Sequence, residues 1–181
     1  MFQIIISTIY FFTPGMLGNA FMPFREKIFG EMKHPIDFEI KVRERRLFGE
    51  NKTFEGLVMA MLFALFVGLI QYLIRDVPFF KTHSIIDYST SAIFWIAPVQ
   101  GFAAVLGDAL KSSLKRQVGV KPGKPFLFVD QTDFVFTNIL FSYFLYPVDP
   151  VYYLAILIIY PLLHIVSNII GYLIGVKEEW I

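Results

Sequence analysis

Residues 54–74 read FEGLVMAMLFALFVGLIQYLI, an apolar run in which Glu55 is the only charged residue. A helix needs about 20 apolar residues to cross a hydrocarbon layer of about 30 Å. Comparable runs occur near residues 2–24, 89–107, 126–146 and 151–175. The sequence therefore predicts an all-α, polytopic integral membrane protein of about five transmembrane helices, forming a single membrane domain over residues 1–181.

The bulk composition agrees with a membrane location. Of the 181 residues, 56% are hydrophobic and 17% are charged, and the mean hydropathy is +0.59. A soluble domain carries about 25% charged residues. The net charge of +1 does not identify a partner, and we expect membrane lipids but no nucleic acid as partners. The absence of cysteine excludes disulfides, thiolate catalysis and zinc–thiolate sites.

The basic residues divide unequally between the two sides of the membrane. Thirteen lysines and arginines lie in segments 25–53 and 108–129, whereas the opposite side holds only Arg75 and Lys81. Because lysine and arginine are enriched on the cytoplasmic side, both segments are predicted to be cytoplasmic loops. The N-terminus is then outside and the C-terminus inside, in a multi-pass protein of the plasma membrane. The first run is interpreted as a retained helix, with a signal peptide as the alternative.

Two aspartates lie in the fourth apolar run. Asp130 and Asp133 are three residues apart, so a helix places both on one face. A helix that began only after Asp133 would be too short to cross a membrane, so both are predicted in its first turns. Intramembrane carboxylates cost free energy to insert and commonly mark a functional site. We interpret them as metal ligands, and the alternative is that they cap the start of the helix.

A third carboxylate, Asp108, closes the third apolar run. Basic and hydroxyl side chains follow it within two turns, namely Lys111, Ser112, Lys115 and Arg116. Carboxylates from two helices suit Mg²⁺, which takes few protein ligands and completes its octahedron with phosphate oxygens and water. Lysine and arginine would neutralise the remaining phosphate oxygens. The alternative is that these are ordinary snorkelling lysines at a membrane edge.

The last apolar run carries polar and small residues at helical spacing, namely His164, Asn168, Gly171 and Gly175. Such residues are typical of tight helix packing in lipid, and lining a polar cavity is the alternative. Pro14 in the first run is expected to bend its helix. Membrane helices tolerate such a bend when their neighbours satisfy the freed carbonyl groups.

Three segments resemble known motifs, and two of them belong to one signature. Residues 107–121 read GDALKSSLKRQVGVK and residues 130–133 read DQTD, an order similar to the GD…S..KR..G.K and D..D signature of membrane CTP:phosphatidate cytidylyltransferases. Residues 48–56, FGENKTFEG, resemble the F-G-x-N-K-T-x-x-G motif of the shorter relatives, the CDP-archaeol synthases. The chain length, the number of spans and the motif order also match that branch. The chain departs from the phosphatidate enzymes at Lys111, where they have an acid, and it lacks their His-Gly-Gly segment.

The resemblance implies Mg²⁺-dependent transfer of CMP from CTP to a lipid phosphate, with release of pyrophosphate. In the archaeal branch that lipid is 2,3-bis-O-geranylgeranylglycerol 1-phosphate. The expected metal ligands are Asp108, Asp130 and Asp133. The expected catalytic residues are Asp108, Ser112, Lys115 and Arg116. The expected nucleotide-binding residues are Asn51, Lys52, Thr53, Lys111, Lys115 and Arg116.

Other activities remain open on the sequence alone. A phosphatidate (diacyl) cytidylyltransferase would use the same chemistry, and the residues do not specify the lipid chains. A small membrane transporter would instead carry its acids near the middle of the bilayer and function without CTP. The D-G-x-x-A-R…G…D…D pattern of CDP-alcohol phosphotransferases does not occur in the chain. Binding of CTP in preference to ATP separates the cytidylyltransferases from the transporter.

Overall fold

Helices follow the apolar runs in the computed structural model, which describes residues 1–22, 30, 34–42, 45–48, 52–120 and 129–175. The side chains of residue 45 and of residues 129–131 lie outside the description. The helices are α1 (Phe2–Phe21), α2 (Phe54–Ile74), α3 (Pro78–His83), α4 (Ile93–Gln117), α5 (Val129–Leu145) and α6 (Pro150–Leu173). Two short antiparallel strands, β1 (Lys41–Val42) and β2 (Arg45–Arg46), lie between α1 and α2.

The predicted helical membrane architecture is confirmed. Helices α1, α2, α4 and α6 are long and apolar enough to cross a membrane. Helix α5 is shorter, with 17 residues and therefore a length of about 26 Å. It begins at Val129, so Asp130 and Asp133 lie in its first turns, as the length argument predicts.

Helix α4 differs from the predicted boundaries. The sequence suggested a cytoplasmic loop beginning at Asp108, but α4 continues to Gln117. Alanine, leucine, lysine and arginine are strong helix formers, and the polar residues of this segment extend the helix beyond its apolar part. The segment that carries the acid and the bases is therefore rigid, and its side chains occupy fixed helical positions.

Helix α4 is the central element of the bundle. It packs against α1, α2 and α5, while α6 packs against α1 and α5. Small residues allow these close approaches: a Cβ atom at Gly101 would lie 2.6 Å from the carbonyl oxygen of Ala60, and one at Gly18 would lie 3.0 Å from the same oxygen. Small residues at helix interfaces are the usual basis of tight packing in lipid.

Two buried glutamines satisfy the backbone around Pro14 of α1, whose predicted bend stays a prediction. Pro14 has no N–H group to donate to the carbonyl of Tyr10, and Gln71 of α2 donates to that carbonyl instead, at 2.6 Å. Gln100 of α4 accepts a hydrogen bond from the N–H of Gly15 at 3.3 Å. Neighbouring helices thus satisfy the backbone around the proline, which fixes α1 against both α2 and α4.

Candidate active site

Four oppositely charged side chains from three parts of the fold meet at one end of the bundle. On α4, the Lys111 ammonium lies 2.9 Å from Asp108 Oδ1, and it also lies 2.7 Å from Asp133 Oδ2 of α5. Lys52, directly before α2, forms a hydrogen-bonded ion pair with the other oxygen of Asp108. The Asp133 side chain is only 5% exposed. We call Lys52, Asp108, Lys111 and Asp133 the ionic cluster.

Close contact between α4 and α5 brings the two carboxylates together. A Cβ atom at Gly107 would overlap the carbonyl oxygen of Asp133 and would lie 2.6 Å from Thr137 Oγ1. Only glycine at this position permits the observed backbone approach. The Thr137 hydroxyl in turn donates to the Asp133 carbonyl at 3.0 Å. The sequence analysis gave Gly107 no role, although small residues are a recognisable signal of close helix contacts in membranes.

Backbone hydrogen bonds to His34 and Ile36 hold the chain around Lys52, directly before α2. The Lys52 carbonyl accepts a hydrogen bond from the Ile36 N–H at 2.8 Å, and the Phe54 N–H donates to the His34 carbonyl at 2.8 Å. Thr53 is the N-cap of α2: its hydroxyl oxygen accepts from the Gly56 N–H at 3.2 Å, and the residue is 4% exposed. The structure thus gives Thr53 a capping contact, which a threonine before an apolar helical run signals. Its predicted contact with the nucleotide stays a prediction.

A buried aspartate that the sequence analysis did not identify organises the chain before Lys52. Asp37 is 2% exposed. Its Oδ1 accepts from the Glu39 N–H at 3.1 Å and from Arg46 Nη2 at 3.0 Å, and its Oδ2 accepts from the Phe48 N–H at 3.1 Å. Charged hydrogen bonds of this kind are among the stronger ones in proteins. Asp37 therefore connects the β1–β2 hairpin to the segment that leads into the 48–56 motif.

This segment also contacts the end of α4. The Phe48 carbonyl accepts a hydrogen bond from Arg116 Nε at 3.1 Å. Lys115 and Arg116 are partly buried in the last turn of α4. The Ser112 hydroxyl donates to the carbonyl of Asp108 at 2.8 Å, a contact within the helix. The two motif-bearing segments that the sequence placed in separate loops are thus hydrogen-bonded to each other.

Two predicted site residues lie wholly or partly outside the part of the chain that the structure describes. Asn51 lies outside the described residues, and Asp130 lies on α5 with its side chain outside the description. The structure accordingly brings together Lys52, Asp108, Lys111 and Asp133. Arg116 is connected to the segment that leads to Lys52 by its hydrogen bond to Phe48. The nucleotide contact of Asn51 and the metal contact of Asp130 stay predictions.

The ionic cluster fits a hard divalent cation. Asp108 and Asp133 present carboxylate oxygens from two helices, close enough to share one ammonium group. Within the described side chains, no group of three metal-ligating residues forms. Mg²⁺ needs only one or two protein carboxylates when phosphate oxygens and water complete its octahedron. The two aspartates therefore suit Mg²⁺ bound together with a polyphosphate.

Comparison with known proteins identifies the family. The family described as CDP-archaeol synthase (CarS-like) matches residues 1–181. A CDP-archaeol synthase of Methanosarcina mazei is 35% identical over 182 residues, covering 92% of this chain and 98% of the relative. The one from Methanocaldococcus jannaschii is 28% identical over 184 residues, covering 99% and 98%. The one from Pyrobaculum islandicum is 33% identical over 176 residues, covering 94% and 97%.

A solved structure shares the fold. It is described as an intramembrane enzyme for archaeal membrane lipids biosynthesis, and it matches with a TM-score of 0.69 at 25% identity. The match covers 89% of this chain and 92% of the other. The family match and the shared fold both extend over nearly the full length of the chain. The chain therefore belongs to the CDP-archaeol synthase family of membrane enzymes.

Proposed function

We propose that this protein transfers CMP from CTP to 2,3-bis-O-geranylgeranylglycerol 1-phosphate, giving CDP-archaeol and pyrophosphate, at the cytoplasmic face of the plasma membrane. The observation that carries the proposal is the ionic cluster, in which Lys52 from the segment before α2 meets Asp108 and Lys111 of α4 and Asp133 of α5. Their convergence at a helix end suits two anionic substrates, one from water and one from lipid. The names of the relatives support the same reaction.

The reaction needs charge neutralisation more than a general base. An oxygen of the lipid phosphate monoester attacks the α-phosphorus of CTP and forms a new P–O bond. The bond from the α-phosphorus to the bridging oxygen breaks, and its electron pair leaves with pyrophosphate. Because the nucleophile is already an anion, no proton has to be removed from it. What the protein supplies is orientation of two anions and stabilisation of the charge on the leaving group.

The cations of the site have distinct positions for this task. Lys52 lies directly before α2, and Arg116 lies in the last turn of α4, where its Nε donates to the carbonyl of Phe48. We assign both cations to the phosphates of CTP, which enters from the aqueous side. Lys111 lies between the carboxylates of α4 and α5. We assign it to the phosphate groups that meet at the point of transfer, with Ser112 one residue further along α4.

Asp108 and Asp133 would hold Mg²⁺, with Asp130 as a further candidate. When bound, the ion supplies positive charge to the phosphate oxygens of the nucleotide. Lys52 and Lys111 neutralise the same carboxylates in the structure. These ammonium groups therefore exchange carboxylate partners for phosphate oxygens when substrate binds. This exchange keeps the charge of the cluster compensated in both states.

The direct test uses purified protein in detergent with Mg²⁺. CTP should bind in preference to ATP, and the lipid phosphate should be converted to its CDP derivative with one pyrophosphate released per product. Phosphatidate, the diacyl analogue, should react more slowly. Equal binding of ATP and CTP, or binding of neither with no product, would contradict the proposed reaction.

A further inference from the structure

Three exposed apolar residues lie in the connection between α1 and α2. Phe38, Ile40 and Val42 are 73%, 53% and 40% exposed, and they alternate with the polar residues Glu39 and Lys41. We call Phe38, Ile40 and Val42 the apolar edge. Exposed apolar patches commonly mark contacts with a membrane or with another protein. The apolar edge therefore requires a partner that covers it.

Backbone pairing gives two residues of the apolar edge the same direction. Val42 belongs to β1. The Leu47 N–H donates to the Ile40 carbonyl at 2.9 Å, and this bond extends the β1–β2 pairing by one position beyond Lys41. Side chains alternate between the two faces of a paired strand. Ile40 and Val42 therefore lie on one face, and Lys41 lies on the other.

Phe38 occupies a turn position that does not suit a bulky side chain. Phe38 and Glu39 have φ angles of 47° and 63°. The Ile40 N–H donates to the Asp37 carbonyl at 2.8 Å and closes the turn. Glycine and asparagine are favoured at such positions, because a Cβ atom is crowded in left-handed backbone. The turn itself does not explain a phenylalanine here, and residues kept in this conformation often belong to functional contacts.

The apolar edge continues the lipid-facing surface of α2. The Phe38 ring contacts that of Phe54, the first residue of α2, with a centroid distance of 5.4 Å. Phe54 is 39% exposed, and Val58 and Leu62 follow at intervals of four residues with 51% and 52% exposure. Because α2 is long and apolar enough to cross the membrane, this exposed stripe faces lipid. Phe38 thus lies where the lipid-facing stripe reaches the membrane surface.

We propose that the apolar edge inserts into the lipid leaflet next to the ionic cluster. Its side chains enter the boundary between headgroups and hydrocarbon, and Lys41 on the opposite face stays in contact with water or lipid phosphates. A lipid surface fits the edge better than a partner protein does, because the edge is continuous with a helix face that lipid already covers.

Insertion of the edge also affects the segment that leads into α2. Asp37, which directly precedes Phe38, accepts a hydrogen bond from the Phe48 N–H at 3.1 Å. The inserted edge therefore sets the position of this segment relative to the membrane. The inference goes beyond the proposed reaction and does not depend on it.

Spin labels on single cysteines test the inference in the full-length protein, which contains no cysteine of its own. In nanodiscs of phosphatidylcholine and phosphatidylglycerol, collisions of each label with oxygen, which dissolves in hydrocarbon, are compared with collisions with a water-soluble nickel chelate. Labels on the apolar edge should favour oxygen severalfold more than labels at the polar positions between them. The labelled variants are Phe38→Cys, Ile40→Cys and Val42→Cys on the edge, Glu39→Cys and Lys41→Cys as controls, and Leu62→Cys as the lipid-facing reference.

Phe38→Asn tests the contribution of the ring, with Glu39→Asn as the matched control. Asparagine adopts left-handed backbone more readily than most residues, so both substitutions are compatible with the turn. For a label at Ile40→Cys, Phe38→Asn should increase collisions with the nickel chelate severalfold, whereas Glu39→Asn should leave them unchanged. An unchanged label in Phe38→Asn, or equal shifts in both variants, would contradict insertion of the edge.

Two further results would overturn the inference. Labels at positions 38, 40 and 42 that meet the nickel chelate as often as the label at position 41 would show that the edge faces water. Labels shielded from both reagents, with magnetic coupling between different copies, would show that a second copy of the chain covers the edge. None of these measurements needs enzymatic activity, so the proposed function and the inserted edge can fail separately.

Discussion

Gly107 packs directly against the backbone of Asp133, and the carbonyl oxygen of Asp133 occupies the space that a Cβ atom at Gly107 would need. This contact sets the distance between α4 and α5. Asp108 follows Gly107 on α4, so the same contact decides whether Asp108 and Asp133 can share the Lys111 ammonium. A residue without a side chain thus determines the geometry of the charged ones.

Gly107→Ala should cause a large loss of CMP transfer and only a moderate loss of stability. The added methyl group meets backbone, which cannot rotate away, so α4 and α5 must separate at a cost of about 1–3 kcal/mol. Gly101→Ala is the matched control, because its Cβ would lie 2.6 Å from the Ala60 carbonyl at the α4–α2 contact. The measurements are the melting temperatures and the transfer rates of both variants. If the two variants lose similar stability and equal activity, the Gly107 contact has no special role in transfer.

Asp133→Asn should abolish transfer while the protein remains folded in the membrane. Asparagine keeps the shape of the side chain but lacks the charge that a hard cation requires. Lys111 keeps Asp108 as a partner, so a modest fall in melting temperature is expected. Asp149→Asn is the control: Asp149 caps α6 by accepting from the Val151 N–H at 2.9 Å, and asparagine caps equally well. An active Asp133→Asn enzyme with normal Mg²⁺ dependence would refute the metal assignment.

The same assay applied to Asp130→Asn distinguishes the two interpretations of that residue. A metal ligand predicts loss of transfer and a shifted Mg²⁺ requirement. A helix cap predicts activity close to that of the wild-type protein, since asparagine and aspartate are similar caps.

Lys52→Ala should weaken CTP binding by about 1.5–3 kcal/mol, the value of a charged hydrogen bond. The lipid KM should change little, because Lys52 lies directly before α2, in the segment assigned to CTP. Lys41→Ala is the control, since Lys41 is an exposed lysine on β1 in the same connection. Isothermal titration with CTP and Mg²⁺ provides the measurement. Unchanged CTP affinity together with a raised lipid requirement would reverse the assignment of the two substrates.

Asp37→Asn should raise the KM for CTP and leave kcat nearly unchanged at saturating CTP. The substitution removes the charge that pairs with Arg46 and places an amide group where the carboxylate accepts hydrogen bonds. The Phe48 segment then loses the support through which it contacts Arg116. Asp87→Asn is the comparison, because Asp87 also accepts from a nearby backbone N–H, that of Ser89 at 2.8 Å, in the connection between α3 and α4. A lower melting temperature with an unchanged CTP KM would limit Asp37 to a structural role.

The membrane orientation can be tested with single cysteines, since the chain has none of its own. Cysteines at Lys41 and Lys121 should react with an impermeant reagent only from the cytoplasmic side, and one at Thr82 only from outside. The unequal distribution of lysine and arginine is the physical basis of this expectation. Labelling of positions 41 and 82 from the same side would contradict the predicted topology.

The sequence by itself was sufficient for the membrane class, the approximate positions of the five long helices and the identity of all four charged residues in the cluster. Length and hydropathy decide these features locally, because a helix in lipid must satisfy its own backbone hydrogen bonds. The length of the apolar run also placed Asp130 and Asp133 within α5, because a helix that excluded them would be too short to span the membrane. The glutamine contacts around Pro14 were expected in kind, as help from neighbouring helices, but the sequence could not say which residues provide them.

Only the tertiary structure decided which charges meet. Lys52 and Asp108 are far apart in the chain, and their pairing depends on how α2 packs against α4 through glycine and alanine. Asp37 lies outside both motifs, and only its burial and its partners reveal its connection to the site. Periodicity reports the face of a helix but not the neighbour that this face contacts. That neighbour is determined by side-chain volume and backbone approach across the whole bundle, which no single segment encodes.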